Sequence, residues 1–288
     1  MSVGDATALV VLLGVLVDAA SAVRSTWSPC GLSMLATITP LAERGRGHRF
    51  GSTAAWFVVG SVAGGATLGA VIAGLAAAVR AIGPGPGTTV TVALGAAVVA
   101  ALSDARVAGF RLPSHGRQVN ERWLDGYRPW VYGAGFGWQI GCGMATYLVT
   151  AGVYLLVVLG ALSALPLVGL VLGTLFGLVR GLAVLLGRRV TAPDALHALH
   201  RTLSRLGPWS ARAMVAVEVV AAGVSAVWLM AAVWGRADSR WTGPVGVLVA
   251  TVLGLAIAAA ALGWWARPLH RRPADPAPAL ARTDRTGG

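Results

Sequence analysis

Lysine is absent from all 288 residues, and charged residues of every kind reach only 12%, about half the share of a water-soluble domain, which carries about 25%. Acids number 11 against 23 basic residues, every one of them arginine, for a formal charge of +12. With 56% hydrophobic residues and a mean hydropathy of +0.71, the chain holds more apolar surface than one aqueous core can hide. That excludes an ordinary soluble domain and makes the lipid bilayer the expected surroundings. The arginines lie between apolar runs, where they orient a membrane protein, so nucleic-acid binding is not expected. Cysteine is nearly absent as well. Cys30 and Cys142 stand alone, with no C-x-x-C and no Cys/His spacing for zinc, so neither a metal nor another cofactor is expected. Residues 1–7 carry Asp5 and no basic residue, unlike the charged start of a secretory signal, and no cleavage is expected.

What is abundant is apolar sequence in long runs. About 20 residues cross about 30 Å of hydrocarbon, and seven runs qualify, at 8–41, 50–80, 88–104, 131–162, 164–187, 211–235 and 243–266. The first, about 34 residues at ~1.5 Å each, would reach ~51 Å as one helix, so it must break. Proline removes a backbone donor and disfavours helix at the residue before it, which places the break at Ser28-Pro29-Cys30-Gly31, with Pro40 closing the second half. The fourth run is as long and carries Gly141-Cys142-Gly143 in a similar place. Both cysteines are thus expected at helix interruptions.

Eighteen of the arginines fall in the loops 42–49, 105–130 and 188–212 and in the tail, all on one side of a seven-span arrangement, against Arg236 and Arg240 on the other. The positive-inside rule then puts the N-terminus outside and the C-terminus in the cytoplasm of a multi-pass plasma-membrane protein. Thr191 to Leu206 has Leu196, Leu199, Leu203 and Leu206 at helical spacing after Pro193 and Asp194, which predicts a separate cytoplasmic helix in the membrane interface. His197 and His200 offer a metal pair there, without thiolates or a carboxylate set to complete it. Residues 267–288, rich in Pro, Ala and Arg, are expected to be a disordered cytoplasmic tail.

An internal repeat emerges from the two cysteine contexts. Cys30 opens CGLSMLATITPL and Cys142 opens CGMATYLVTAGV. The span after the first carries Gly60, Gly64, Gly65 and Gly69; the span after the second carries Gly169, Gly173, Gly177 and Gly181, smooth faces for close helix packing in lipid. The expected fold is an all-α integral membrane protein of two inverted three-helix repeats, about 8–104 and 131–235 within a core of 1–235, plus an extra helix in 236–266. Three spans per copy is an odd number, so the second copy enters from the opposite side, and a functional site is expected at the interface near midplane. A cysteine at a helix N-terminus is disposed to thiolate chemistry, and two thiols can cycle between dithiol and disulfide, carrying two electrons. A buried free cysteine can also be no more than a small hydrophobe.

Trp27-Ser28-Pro29-Cys30, then Arg111-Leu112-Pro113, then Gly137-Trp138-Gln139-Ile140-Gly141-Cys142-Gly143 resemble the CcdA/DsbD transmembrane family over roughly residues 8 to 235. The resemblance implies a thiol-disulfide electron conduit, passing reductant from a cytoplasmic thioredoxin-like donor to an extracytoplasmic thioredoxin-like acceptor, as in cytochrome c maturation. It also implies Cys30 and Cys142 as the redox pair and Pro29 as helix breaker, with Gly31, Gly141 and Gly143 supporting. The chain departs from the family at Gly141, where proline is usual, in the single Pro40 after Cys30, and in its seventh span. Asp18, Arg180 and Glu218 are charges within spans, which are costly in lipid and usually face a partner or cavity. Similar depth suggests an Arg180–Glu218 pair. These charges would be the working residues of the alternative, a small-solute or ion exporter similar in design to the LysE type, while a non-catalytic assembly subunit would need neither them nor the thiols.

Overall fold

The computed structural model describes residues 2–114, 126–145 and 147–234 of the 288. All regular structure among them is helical, as hydrocarbon requires, since each backbone N–H and C=O must there be satisfied within its own segment. In chain order the helices are α1 (Val3–Arg24), α2 (Pro29–Thr37), α3 (Pro40–Gly45), α4 (Phe50–Ile82), α5 (Pro86–Asp104), α6 (Pro129–Gly141), α7 (Gly152–Leu162), α8 (Pro166–Leu182) and α9 (Pro193–Trp234). Pro29, Pro40, Pro86, Pro129 and Pro166 each open a helix, where the missing N–H is no loss. Five stretches among the described residues are long and apolar enough to cross a membrane: Val3–Trp27, Phe50–Ile82, Pro86–Asp104, Pro166–Arg189 and Pro193–Ala232. The expected seventh span, the tail, Arg117, Arg122, Arg236 and Arg240 lie outside the described residues.

The first long run does break at Pro29. Helix α1 ends at Arg24, a 3-10 turn covers Ser25–Trp27, and Ser28 turns extended at φ −70°, ψ 153°. Its hydroxyl accepts the Gly31 N–H at 3.0 Å and caps α2. Pro40 plays a different part from the expected one: α2 stops by itself at Thr37, and Pro40 opens α3. The fourth run breaks too. Helix α6 stops at Gly141, Gly143 takes the left-handed φ of +70°, and α7 starts only at Gly152. Neither half, at 13 and 11 residues, is long enough to cross alone.

The expected separate interfacial helix over 191–206 is not formed. One helix of 42 residues runs from Pro193 to Trp234 with Pro208 inside it. Tertiary contact overrides the local break signal: the Trp27 indole N–H donates to the Leu203 carbonyl at 2.8 Å, and the same ring lies over Gly207. Leu203 and Leu199 pack into the core while Leu206 stays exposed.

Helix α4 forms the centre and packs on both α8 and α6, which also touch each other; α1 packs on α7, α8 and α9, and α5 on α9. The glycine stripes are the seams. A Cβ on Gly69 would lie 2.7 Å from the Leu170 carbonyl, and one on Gly177 would lie 2.7 Å from Gly65 Cα, so α4 and α8 cross antiparallel at backbone contact. Gly60 faces Ala134 and Gly64 faces Trp138 and Cys142, so α4 and α6 run parallel. Gly133, Gly137 and Gly141 form the matching stripe on α6, a third glycine stripe that the sequence reading passed over.

Candidate functional site

Cys30 is the second residue of α2 and is buried at 3% exposure, in a cluster with Met34, Leu35, Phe136 and Ile140. Cys142, half-buried, stands at the C-terminal cap of α6. Both are free thiols. Each sits at one of the two span breaks, and both breaks meet α8.

The contact on α8 is one helical turn, Phe176 to Arg180. Buried at 3% exposure, Arg180 reaches toward the first break, where its guanidinium donates to the Ser25 carbonyl and the Ser28 hydroxyl, both at 3.4 Å. The guanidinium also lies over the Phe176 ring, 5.7 Å from the centroid. That ring fills the space beside the second break: a Cβ on Gly143 would come 2.6 Å from Phe176 Cε1. A chain of three contacts therefore runs from Ser28, two residues before Cys30, through Arg180 and Phe176 to the backbone next to Cys142. Four residues apart, Phe176 and Arg180 share a face of α8. Gly31 supports the first break, because a Cβ there would run into the Thr26 carbonyl. Gly141 does the same against Ser61 of α4.

The expected Arg180–Glu218 pair is not made. Arg180 turns to Ser25 and Ser28, while Glu218, on α9, faces Asp104 at the end of α5. Equal spacing from the ends of neighbouring spans does not translate into equal height in the bundle: Arg180 lies beside Ser25 and Ser28, whereas Glu218 lies level with Asp18, further up α1. Glu218 is wholly buried, and neither of its carboxylate oxygens has a hydrogen-bond partner. Asp104, which the sequence reading did not single out because it ends a span, accepts from the Thr150 hydroxyl and, at 2.7 Å, from the Ala151 N–H just ahead of α7. Asp18 is buried at 3% exposure on α1, its Oδ1 also without a partner. Contacts of Trp27 with Leu203 and Gly207, of Arg24 with Ser210, and of Ser21 and Met214 with the space at Gly152 fix an antiparallel register of α1 on α9. That register sets Asp18 level with Val217 and Glu218.

A second buried acid was also missed. Glu43 on α3 is wholly enclosed and accepts from Thr53 Oγ1 at 2.6 Å, from Tyr132 Oη at 2.7 Å and from Arg46 at 3.0 Å, joining α3, α4 and α6. Its position in an arginine-rich loop reads as surface charge in the sequence; the one hint was a tyrosine in the largely apolar α6. His200 Nδ1 is engaged by the Leu196 carbonyl at 3.0 Å.

No protein-family model, curated protein or solved structure matches this chain.

Proposed function

We propose that the protein is a transmembrane thiol-disulfide conduit built from two inverted three-helix repeats, with Cys30 and Cys142 as its redox pair. The observation that carries this reading is the convergence of both cysteine-bearing span breaks on the Phe176–Arg180 turn of α8. The repeat is supported by the helix directions: a broken span and two continuous helices occur twice, α4 runs parallel to α6 as α1 does to α8, and the two glycine-lined helices cross antiparallel between them.

In the cycle, a thiolate of a cytoplasmic thioredoxin-like donor attacks a Cys30–Cys142 disulfide and forms a mixed disulfide with one sulfur. The donor's second thiol then displaces that sulfur, leaving the donor oxidised and Cys30 and Cys142 as the dithiol seen here. The dithiol next reduces the disulfide of an extracytoplasmic thioredoxin-like acceptor, so two electrons and two protons pass per turn. Arg180 supplies a counter-charge for a transient thiolate at Cys30. The arginine-rich loops support a donor side at the cytoplasmic face of a plasma membrane, with the N-terminus outside.

The test is gel-shift thiol alkylation on native membranes, with and without cytoplasmic thioredoxin reductase, in wild type and in Cys30→Ser and Cys142→Ser. Accumulation of a Cys30–Cys142 disulfide when reductant is cut off is the expected result; thiols that stay free in every background overturn it. Asp18 and Glu218, buried with unpartnered oxygens, favour a second reading as a LysE-type ion or solute exporter. An exporter would keep working in both serine variants and fail in Asp18→Asn or Glu218→Gln.

A further inference from the structure

We infer that Asp104 and Glu218 form a buried proton-binding site, with the proton carried on Glu218 and its O–H directed at the Asp104 carboxylate. The two side chains lie within hydrogen-bonding reach of one another, yet both Glu218 oxygens lack a donor. Two carboxylates offer only acceptors, so this contact becomes a hydrogen bond only when one of them holds a hydrogen. An enclosed charge without a partner in an apolar bundle is far costlier than its neutral form.

The surroundings decide which acid keeps the proton. Asp104 receives the Thr150 hydroxyl and the Ala151 N–H, and the charges of Arg24 from α1 and of Arg106 act on it. Those four interactions favour an ionised carboxylate against the burial that opposes it. The charge that acts on Glu218 is that of Asp104 itself, and the register of α1 on α9 sets Asp18 at the same level. Helix α7 contributes no titratable group to this junction: it meets it through Gly152, next to Ser21 and Met214. The site joins α5, α9 and the start of α7, and it requires no thiol chemistry, so it stands whether or not the redox reading does.

The experiment is infrared spectroscopy of the full chain in lipid at neutral pH, looking for the carbonyl stretch of a neutral carboxylic acid. With only Glu43, Glu121 and Glu218 in the sequence, carboxyl-13C glutamate labelling identifies the band's residue type without mutation. The expected band is present in the wild type, moves on 13C-glutamate labelling but not on 13C-aspartate labelling, and disappears in Glu218→Gln, whose amide can still donate to Asp104. If Glu218→Gln fails to accumulate, the labelling arm decides by itself. A wild type without a band that shifts on 13C-glutamate labelling, or such a band that survives Glu218→Gln, overturns the proposal. So does such a band that added sodium titrates away, which would make the pair a cation site. A separate band that follows aspartate belongs to Asp18, whose Oδ1 is also buried without a partner, and is removed in an Asp18→Asn background.

Discussion

The guanidinium of Arg180 covers the ring of Phe176, and that ring in turn occupies the space a side chain at Gly143 would need. One turn of α8 thereby touches both interruptions of the bundle. A buried cation over an aromatic face is worth about 2 kcal/mol, enough to hold the two side chains in one arrangement and so fix the distance between the two cysteine-bearing segments.

Gly143→Ala is expected to destabilise the protein, since the residue has φ +70° and a methyl there meets the Phe176 ring. Strain in the left-handed region and overpacking each cost about 1–3 kcal/mol. Thermal unfolding in detergent measures the loss. Phe176→Leu in the same chain should recover only the overpacking part, and full recovery would contradict a backbone contribution.

The seam between α4 and α8 predicts a contrast among glycines. Gly65→Ala, Gly69→Ala and Gly177→Ala push a methyl into the backbone of the facing helix and should cost about 1–3 kcal/mol or more each. Gly74→Ala, on the same α4 with nothing within 4 Å, should be neutral or stabilising, by up to about 1 kcal/mol. Equal losses at Gly65 and Gly74 in a detergent melt would refute the close crossing.

Arg180→Gln removes the buried charge beside the Cys30 break while retaining a donor for Ser28. Under the conduit reading it should slow reduction of the pair by the cytoplasmic donor about tenfold, a change of about 1.4 kcal/mol in the barrier. Stopped-flow reduction by a thioredoxin provides the rate. Arg180→Lys, which keeps the charge, should recover most of it; a Lys variant as slow as Gln would assign Arg180 a packing role alone.

Glu43→Ala leaves the Tyr132 and Thr53 hydroxyls buried without an acceptor and strips Arg46 of its ion pair. Each orphaned hydroxyl costs about 1–3 kcal/mol. Glu43→Gln keeps an acceptor oxygen and should lose less. The ordering of the two variants in a denaturation series checks the network, and identical losses would refute the role of the hydroxyl bonds.

The sequence by itself determined the membrane class, the continuous spans α4 and α5 within a few residues, the two interruptions and the glycine faces. Each of these follows from local chemistry: apolar length against bilayer thickness, the missing N–H of Pro29, and the absence of a side chain at every fourth position. Only the tertiary structure decided the partners. Glu218 and Arg180 sit equally far from the ends of their spans in the sequence, yet the packing of the helices sends one to Asp104 and the other to Ser28. Glu43 reads as a loop charge until Tyr132 and Thr53 close over it. Pro208 reads as a boundary until Trp27 packs on Gly207 and binds the Leu203 carbonyl. Periodicity places a residue along a helix and on a face of it; which neighbour that face meets depends on how the other helices pack.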